Sequence, residues 1–408
     1  MSWEKVPIKS ICKGIYDGPH ATPPMSNTGA IFLGISNFCN GKLDLSDIRF
    51  ISEEDLLKWT KRVMPEPNDI VFSYEATLNL YAIIPSGFHG CLGRRMALIR
   101  VDDKKAYYKY IYYYFFSNQW RATIKENTVL GATVDRIPLV KFPDFEVELP
   151  EICIQHRIAN ILSAYDDLIE NNQKQIKLLE EAAQRLYKEW FVDLRFPGYE
   201  ETPIVDGVPE GWKIRPLSDV FTFIRGKSYT SKELSNNQGI LMVNLKNIRA
   251  FGGYNRNAEK RFTGKYKEEQ QLTPGDIIMG VTDMTQERRL VGHTAMVPDL
   301  KEKTTFSMDL IKLIPISISK NYLYGTMLYG GFSYKISPLA NGVNVLHLKP
   351  EAMMNLPMLV PSSSVMEAFD NIFNPIYSRI ESLQEQIDDA SEARDRLLPK
   401  LMSGEIEV

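Results

Sequence analysis

Two long segments of the chain repeat apolar residues at alternating steps of three and four. The first predicted seam runs through Ile158, Ile161, Tyr165, Leu168, Asn172, Ile176, Leu179, Ala183, Leu186 and Trp190. The second runs through Phe369, Ile372, Ile376, Ile380, Leu383, Ile387, Ala390, Arg394, Leu397 and Leu401. This heptad rhythm, with an extra four-residue step after Asn172, predicts two coiled-coil helices. Each would be roughly 50 Å long.

Short apolar runs bounded by turn residues precede each heptad segment. They predict strands over 30–35, 69–73 and 96–101, and again over 240–244, 276–281 and 308–314. A helix is expected to start after Ser52, where Asp55 completes a weak capping box. The aromatic run 107–116 is more typical of a core helix than of a base-stacking platform, and 322–328 occupies the corresponding place further on.

The chain consists of two copies of one unit. Trp3 and Pro7 are echoed by Trp212 and Pro216, and from Gly131 onward the offset stays at 211 for more than sixty residues. Two copies are most simply related by a pseudo-two-fold axis, which would make the helices antiparallel. We predict an α+β fold with two mixed α/β domains (1–150 and 212–361), two helices (151–196 and 362–408) forming an antiparallel coiled coil, and a linker (197–211).

Charge is divided unevenly along this plan. Residues 211–361 carry a net charge of +8, whereas 151–210 and 362–408 carry −6 each. A basic block suits a polyanionic partner, although a solvated face gives the same signal. The four cysteines and five histidines show no metal-ligand spacing, so no metal is expected. The absence of a signal pattern and of long apolar runs predicts a cytoplasmic chain.

Motifs that resemble catalytic strings are incomplete. Gly226-Lys227-Ser228 lacks the leading glycine of a phosphate loop, because Phe221 stands there. Asn374-Pro375-Ile376-Tyr377 approaches an adenine-methyltransferase string, yet it lies in a heptad segment and no glycine-rich cofactor loop accompanies it. A methyltransferase or nuclease acting on its own is therefore disfavoured. A coiled-coil scaffold that joins two protein-binding modules remains the main alternative.

Four stretches carry a resemblance to a known family. They are YDGPHATP at 16–23, LP at 149–150 with QHRIANILS at 155–163, KEWFVD at 188–193 and RLLPKLMSGEI at 396–406. In these the chain resembles the specificity (S) subunits of type I restriction–modification systems, along essentially its whole length. The second copy departs from the pattern after Arg225-Gly226, where no Asp-Gly-x-His string recurs.

The resemblance implies two target-recognition domains, each reading half of a bipartite site on double-stranded DNA. It also implies helices that hold two modification (methyltransferase) subunits, with restriction subunits joining the complex. S-adenosylmethionine, ATP and magnesium would then belong to those partners, with no cofactor and no catalytic residue on this chain. No membrane partner is expected.

We predict DNA-binding residues among the hydrogen-bond donors on loops next to predicted strands. Arginine and lysine side chains read guanine, and other basic groups bind phosphate. The alternative for each is an ordinary surface charge or turn residue. In the first copy they are His20, Thr22, Tyr74, Arg94 and Arg95. In the second copy they are Arg225, Lys227, Tyr229, Arg288 and Arg289.

Overall fold

The computed structural model describes residues 3–131 and 134–408. The chain forms two compact units, each described by itself below. Unit 1 comprises residues 1–171 with 386–408, and unit 2 comprises residues 172–385. Each unit thus contains one mixed block together with a part of each long helix. The domain boundaries predicted at 150, 196, 211 and 361 stay predictions.

Unit 1 is built around a four-stranded antiparallel sheet. Its strands are β1 (Glu4–Pro7), β2 (Cys12–Asp17), β3 (Ala30–Phe32), β4 (Phe38–Cys39), β5 (Lys42–Leu43), β6 (Arg49–Ile51), β7 (Ile70–Ser73), β8 (Tyr81–Ile83), β9 (Gly90–Cys91), β10 (Met96–Val101) and β11 (Glu146–Leu149). The main sheet has the order β2-β10-β7-β8, and a second sheet has the order β6-β3-β9, with β3 and β9 parallel. The pairs β1–β11 and β4–β5 complete the set of paired strands in the described residues.

Unit 2 repeats this arrangement. Its strands are β12 (Ile204–Val205), β13 (Val208–Pro209), β14 (Lys213–Pro216), β15 (Phe221–Arg225), β16 (Leu234–Ser235), β17 (Ile240–Val243), β18 (Lys260–Phe262), β19 (Gln271–Leu272), β20 (Ile277–Gly280), β21 (Thr282–Asp283), β22 (Thr294–Met296), β23 (Thr304–Phe306), β24 (Leu310–Pro315), β25 (Leu346–His347) and β26 (Pro357–Val360). The main sheet has the order β15-β24-β20-β22, beside β16-β18-β17-β23-β19 and the pairs β12–β13, β14–β26 and β21–β25. The same sheet order therefore occurs in both units.

The helices follow the predicted plan. They are α1 (Glu53–Trp59), α2 (Tyr108–Tyr114), α3 (Asn118–Asn127), α4 (Ile152–Tyr187), α5 (Leu217–Val220), α6 (Lys320–Leu328), α7 (Ser333–Ile336) and α8 (Ser363–Met402). Ser52 caps α1 by accepting a hydrogen bond from the Asp55 amide at 3.1 Å, as predicted. A π-helical turn, Lys188–Val192, follows α4.

The aromatic helices belong to the core, which confirms that interpretation of the run 107–116. Most side chains of α2 are buried with the main sheet of unit 1, and α6 is buried likewise in unit 2. Tyr110 on α2 donates a hydrogen bond to the Glu148 carbonyl at 2.8 Å. Tyr322 on α6 donates to the Leu359 carbonyl at 2.5 Å. Each bond ties an aromatic helix to the strand that precedes a long helix.

The predicted strands occur where expected, with shorter ends. β7, β10 and β20 match closely, because their continuous apolar runs are covered on both faces. β3 ends at Phe32 rather than at residue 35, since a 3-10 turn over Ile35–Asn37 follows it. β24 begins at Leu310 rather than at residue 308.

The helix seams needed correction at two positions. Leu168 and Ile372 were predicted in the seam, yet they are 42% and 44% exposed. The buried neighbours Ile169 and Phe373 take their places, and Leu162 is more deeply buried than Ile161. With Leu162, Ile169 and Phe373 in the seam, the steps of three and four alternate without interruption along both helices.

A period of seven runs through both helices. Every seventh residue from Gln155 to Trp190 is buried, and every seventh residue from Met366 to Leu401 is buried or half-buried. The irregularity predicted at Asn172 is therefore wrong, because the buried positions Ile169, Asn172 and Ile176 continue the alternation of three and four. The extra four-residue step came from placing Leu168 in the seam. The remaining predicted seam residues are buried or half-buried.

The two long helices run antiparallel inside each unit. In unit 1, Arg394 of α8 donates to Asp166 of α4 at 2.6 Å, and Leu401 is buried in one cluster with Ile158. In unit 2, the rings of Trp190 and Phe369 lie 6.1 Å apart. Further along unit 2, Arg379 donates to Gln175 at 3.5 Å.

Candidate nucleic-acid interface

In unit 1 the loop after β2 is organised by a carboxylate. Asp17 ends β2, and its side chain forms an ion pair with Arg62 and lies within hydrogen-bond distance, 3.0 Å, of the His20 Nε2 atom. The His20 Nδ1 atom lies 3.5 Å from the Tyr74 hydroxyl, which is a long contact. A Cβ atom on the next residue, Gly18, would lie 2.5 Å from the Gly93 carbonyl oxygen, so only glycine fits there.

Three of the predicted residues of unit 1 come together at this edge. Tyr74 follows β7, and its amide donates to the Arg95 carbonyl at 3.0 Å. Arg95 has a φ angle of +67° and pairs with Glu75 at 3.2 Å. Tyr74 is only 5% exposed, so its hydroxyl rather than its ring faces His20. Burial, and secondarily the charges of Asp17 and Glu75, raise the pKa of Tyr74, so the hydroxyl stays protonated.

The other two predicted residues of unit 1 are exposed loop residues. Thr22 lies in the loop after β2, and Arg94 lies in the turn that leads into β10. The structure describes no side-chain contact that joins either residue to the group of His20, Tyr74 and Arg95. Their assignment to DNA binding stays a prediction.

In unit 2 the loop after β15 occupies the equivalent position. The Lys227 amide donates to the Phe306 carbonyl at 2.7 Å, and the neighbouring Gly226 leaves no room for a Cβ atom beside the Ser307 carbonyl. Lys260 donates to the Tyr229 hydroxyl at 2.9 Å, and its ammonium group lies 5.3 Å from the centre of that ring. Lys227 and Tyr229 are thus held near one strand end.

Arg225 is committed to an ion pair. Its guanidinium donates to Glu351 at 2.8 and 2.9 Å, and this contact lowers the pKa of the Glu351 carboxyl. Both side chains are exposed, so the pair could exchange for a phosphate at small cost. Sequence inspection could not have found this partner, which is 126 residues away.

The second basic pair of unit 2, Arg288 and Arg289, lies on the loop between β21 and β22. Arg288 has a φ angle of +53°, and its Nε atom is buried without a hydrogen-bond partner among the described residues. Arg289 is exposed and lies within 3.9 Å of Glu287. Its carbonyl accepts from the Phe251 amide at 2.7 Å.

Asp283 organises this loop and was missed by the sequence analysis. The carboxylate is fully buried and accepts from the Thr285 amide and hydroxyl, both at 2.8 Å, and from the Leu290 and Val291 amides at 2.6 and 3.1 Å. Burial alone would raise the pKa of Asp283, but these hydrogen bonds outweigh it and lower the pKa. A Thr-Asp pair just beyond a buried strand is the only signal that the sequence offered.

The mixed block of each unit is attached to a long helix by an ion pair at an equivalent position. Lys42 of β5 contacts Glu170 of α4 at 2.7 Å in unit 1. Arg256 contacts Glu381 of α8 at 2.6 Å in unit 2. The two glutamates are 211 residues apart, which is the offset of the internal repeat.

Comparison with known proteins accounts for this two-copy arrangement. The sequence model of the family described as type I restriction modification DNA specificity domain matches residues 2–181 and again residues 209–388. The chain belongs to this family. It is accordingly a specificity subunit of a type I restriction–modification system, with two tandem target-recognition domains.

Individual relatives agree with the family match. The MjaIX specificity subunit of Methanocaldococcus jannaschii is 25% identical over 382 residues, covering 88% of this chain and 82% of that protein. The MjaVIII specificity subunit of the same organism is 22% identical over 358 residues, covering 85% and 81%. The crystal structure of the S subunit from M. genitalium has the same fold, with a TM-score of 0.60 at 15% identity over 98% of this chain and 96% of that one.

The described residues contain neither a cluster of side chains suited to a metal ion nor a helix suited to span a membrane. No group of three or more histidine, cysteine, aspartate or glutamate side chains within 3–131 and 134–408 could hold a metal ion. Over the same residues, no helix is long and apolar enough to cross a membrane.

Proposed function

We propose that units 1 and 2 each read one half of a bipartite sequence on double-stranded DNA. The observation that carries this proposal is the repeated sheet order with different loops at equivalent strand ends. The loop after β7 spans residues 74–80, whereas its counterpart after β20 spans 281–293 and contains β21. A common scaffold with divergent loops is what two readers of different half-sites require.

Base readout in the major groove needs donors held at fixed positions. Asp17 holds His20 beside Tyr74, and the buried Asp283 holds the loop that carries Arg289. Two further basic side chains are suited to phosphate contacts, which set affinity and salt dependence: Arg94, exposed in the turn before β10, and Lys227, half-buried in the loop after β15.

The long helices carry the second part of the proposal. We propose that α4 and α8 form an antiparallel coiled coil and that its acidic surface binds two modification subunits, through which restriction subunits join. The period-seven burial and the antiparallel contacts inside each unit support this arrangement. On this view the chain is not catalytic, and the partner subunits carry S-adenosylmethionine, ATP and magnesium.

A methylation-sensitive long-read sequence of host DNA, with and without the gene for this chain, tests the proposal. We expect one bipartite adenine-methylated motif to disappear on deletion and to return on complementation. A methylome that is unchanged, in a host where the modification subunits are expressed and bind this chain, would contradict it.

A further inference from the structure

The proposed function leaves unassigned a concave basic surface beside the predicted residues of unit 1. It lies between the loop 17–21 and the residues at and after the C-terminal end of α1, and its volume is about 440 Å³. Its basic side chains, in addition to His20, are Lys58, Lys61 and Arg62, and the one carboxylate in its lining is Asp17. None of these three residues was selected by sequence.

The geometry fixes two of the cations in place. Arg62 pairs with Asp17, the same carboxylate that holds His20, so both side chains are held at the edge of the surface that the loop 17–21 forms. Lys58 pairs with Asp55 at 3.3 Å within α1. Lys61 is exposed and follows the Thr60 cap of α1. A paired arginine retains further N–H donors for an added anion.

The chemistry of the surface favours phosphate over a base. Trp59 also lines it, but its side chain packs against the buried cluster of Phe32, Leu56 and Cys91. The indole ring is therefore half-buried and held by the core, which limits the area that it can offer to a stacked base. What remains at the surface is positive charge on long side chains, which suits a phosphodiester group.

We propose that Lys58, Lys61 and Arg62 clamp the DNA backbone next to the first half-site, with Asp17 as the positioning residue for Arg62 and His20. This proposal rests on the proposed function, because it assumes that unit 1 binds duplex DNA. It assigns these cations to affinity and register, and it leaves sequence discrimination to other residues of the loops.

The test uses the assembled complex and two duplexes, one with the motif found by methylome sequencing and one unrelated. For Lys61→Ala we expect the affinity to fall by the same factor on both duplexes, roughly three- to tenfold. The salt slope, which is the steepness with which log affinity falls with log salt concentration, should decrease by about one. Lys61→Arg should restore both quantities. Lys58→Ala/Lys61→Ala/Arg62→Ala should lower the slope by about two to three.

Lys104→Ala is the matched control. Lys104 is exposed and lies in the turn after β10, at the opposite end of the β2–β10 pair, where Cys12 is registered with Val101. That end is roughly 16 Å from Asp17. We expect the control to bind both duplexes as the wild type does.

A neutral methylphosphonate placed at single backbone positions beside the first half-site sharpens the test. At one or two positions this substitution should weaken DNA binding by the wild-type complex. It should weaken binding by the Lys61→Ala complex much less, because that variant has already lost the contact between residue 61 and the phosphate. The proposal would be overturned if the triple variant kept the wild-type affinity and salt slope. It would also be overturned if the loss of affinity depended on the identity of one base in the duplex. If the complex showed no preference for its motif, the proposed function itself would fail.

Discussion

The two units use the same scaffold contacts but differ where the aromatic helix meets the long helices. Tyr110 and Tyr322 make the same hydrogen bond to a strand carbonyl. Beside this bond, unit 1 has a polar junction, in which Asp166 accepts from Arg394 at 2.6 Å and from the Tyr113 hydroxyl at 2.5 Å.

In unit 2 a tyrosine and an alanine occupy the equivalent positions. By the offset of 211 residues, Asp166 corresponds to Tyr377 and Arg394 corresponds to Ala183. Tyr377 lies 6.3 Å from Tyr324, ring to ring, and Ala183 is buried. The same sheet order is therefore compatible with an ion pair or with a tyrosine and an alanine at this place, provided that every buried polar group finds a partner.

The loops after β7 and β20 differ more than the junctions do. The seven-residue loop of unit 1 turns through positive φ angles at Ala76 and Asn79. The longer loop of unit 2 is instead wrapped around Asp283. Arg288 in the loop of unit 2 also has a positive φ angle, so the difference is the buried carboxylate, and the two loops should respond differently to acid.

The largest expected effect is at Asp283. Asp283→Ala removes the acceptor of three buried amides and one hydroxyl, and we expect unit 2 to lose about 3 kcal/mol of stability. Hydrogen exchange on the purified complex should show faster exchange at 285–291 and no change in unit 1. An equal loss of protection in both units would contradict the account. Asp283→Asn, which keeps one acceptor oxygen, should be less severe.

The same carboxylate predicts a pH dependence. Because the pKa of Asp283 is lower in the folded state, its stabilisation is present above the unfolded-state pKa of about 3.9 and is lost as pH falls through the lowered folded pKa. Protection of 285–291 should therefore hold from pH 7 to pH 5 and decline only in stronger acid. In Asp283→Asn that specific decline should be missing.

A smaller effect is expected at the polar junction of unit 1. Asp166→Ala leaves Arg394 and the Tyr113 hydroxyl without this acceptor in a largely buried place, and we expect a cost of about 2 kcal/mol. Tyr377→Phe is the matched change in unit 2, where the hydroxyl donates to the Glu381 carboxylate and also lies 3.4 Å from the Met296 carbonyl oxygen. This change leaves no cation without its partner, and it should cost about 1 kcal/mol. Thermal unfolding compares them, and similar losses would remove the distinction between the junctions.

The shared tyrosines should behave alike. Tyr110→Phe and Tyr322→Phe each delete one buried hydrogen bond, and each should cost about 1 kcal/mol. Urea unfolding followed by hydrogen exchange assigns each loss to its own unit. A difference above roughly 1 kcal/mol between the two variants would show that the contact is not equivalent in the two copies.

Effects no larger than those of the tyrosine variants are expected at the ion pairs that join the mixed blocks to the long helices. Lys42→Ala breaks a half-exposed pair and should cost about 0.3 kcal/mol, whereas Arg256→Ala breaks a more buried one and should cost about 1 kcal/mol. Both effects should shrink in 0.5 M salt, Lys42→Ala the more completely. Losses insensitive to salt would mean that packing of the side-chain stems, and not charge, holds these contacts.

Sequence reasoning succeeded where a pattern is periodic or repeated. The long helices, the central strands and the two-copy plan follow from apolar spacing and a constant offset, which single residues such as Leu168 or Ile372 cannot disturb. Those two residues were chosen wrongly because each is apolar and adjacent to another apolar residue, Ile169 or Phe373, that keeps the heptad regular. Burial distinguishes the members of each adjacent pair.

The candidate site was harder to predict because its residues meet through the fold. The pairing of Asp17 with Arg62 joins positions 45 residues apart, and that of Arg225 with Glu351 joins positions 126 apart. His20 and Tyr74 could be chosen from their places at strand ends. The organising roles of Asp17 and Asp283 depend on which amides and cations surround them, and no local pattern shows that.

The central claim is that each unit reads its own half-site, and exchange of one block tests it most directly. Residues 212–361 would be replaced by the corresponding block of another specificity subunit, and the host methylome would be sequenced. The account predicts one bipartite motif whose first half is unchanged and whose second half is new. A change in both halves, or in the first alone, would contradict it.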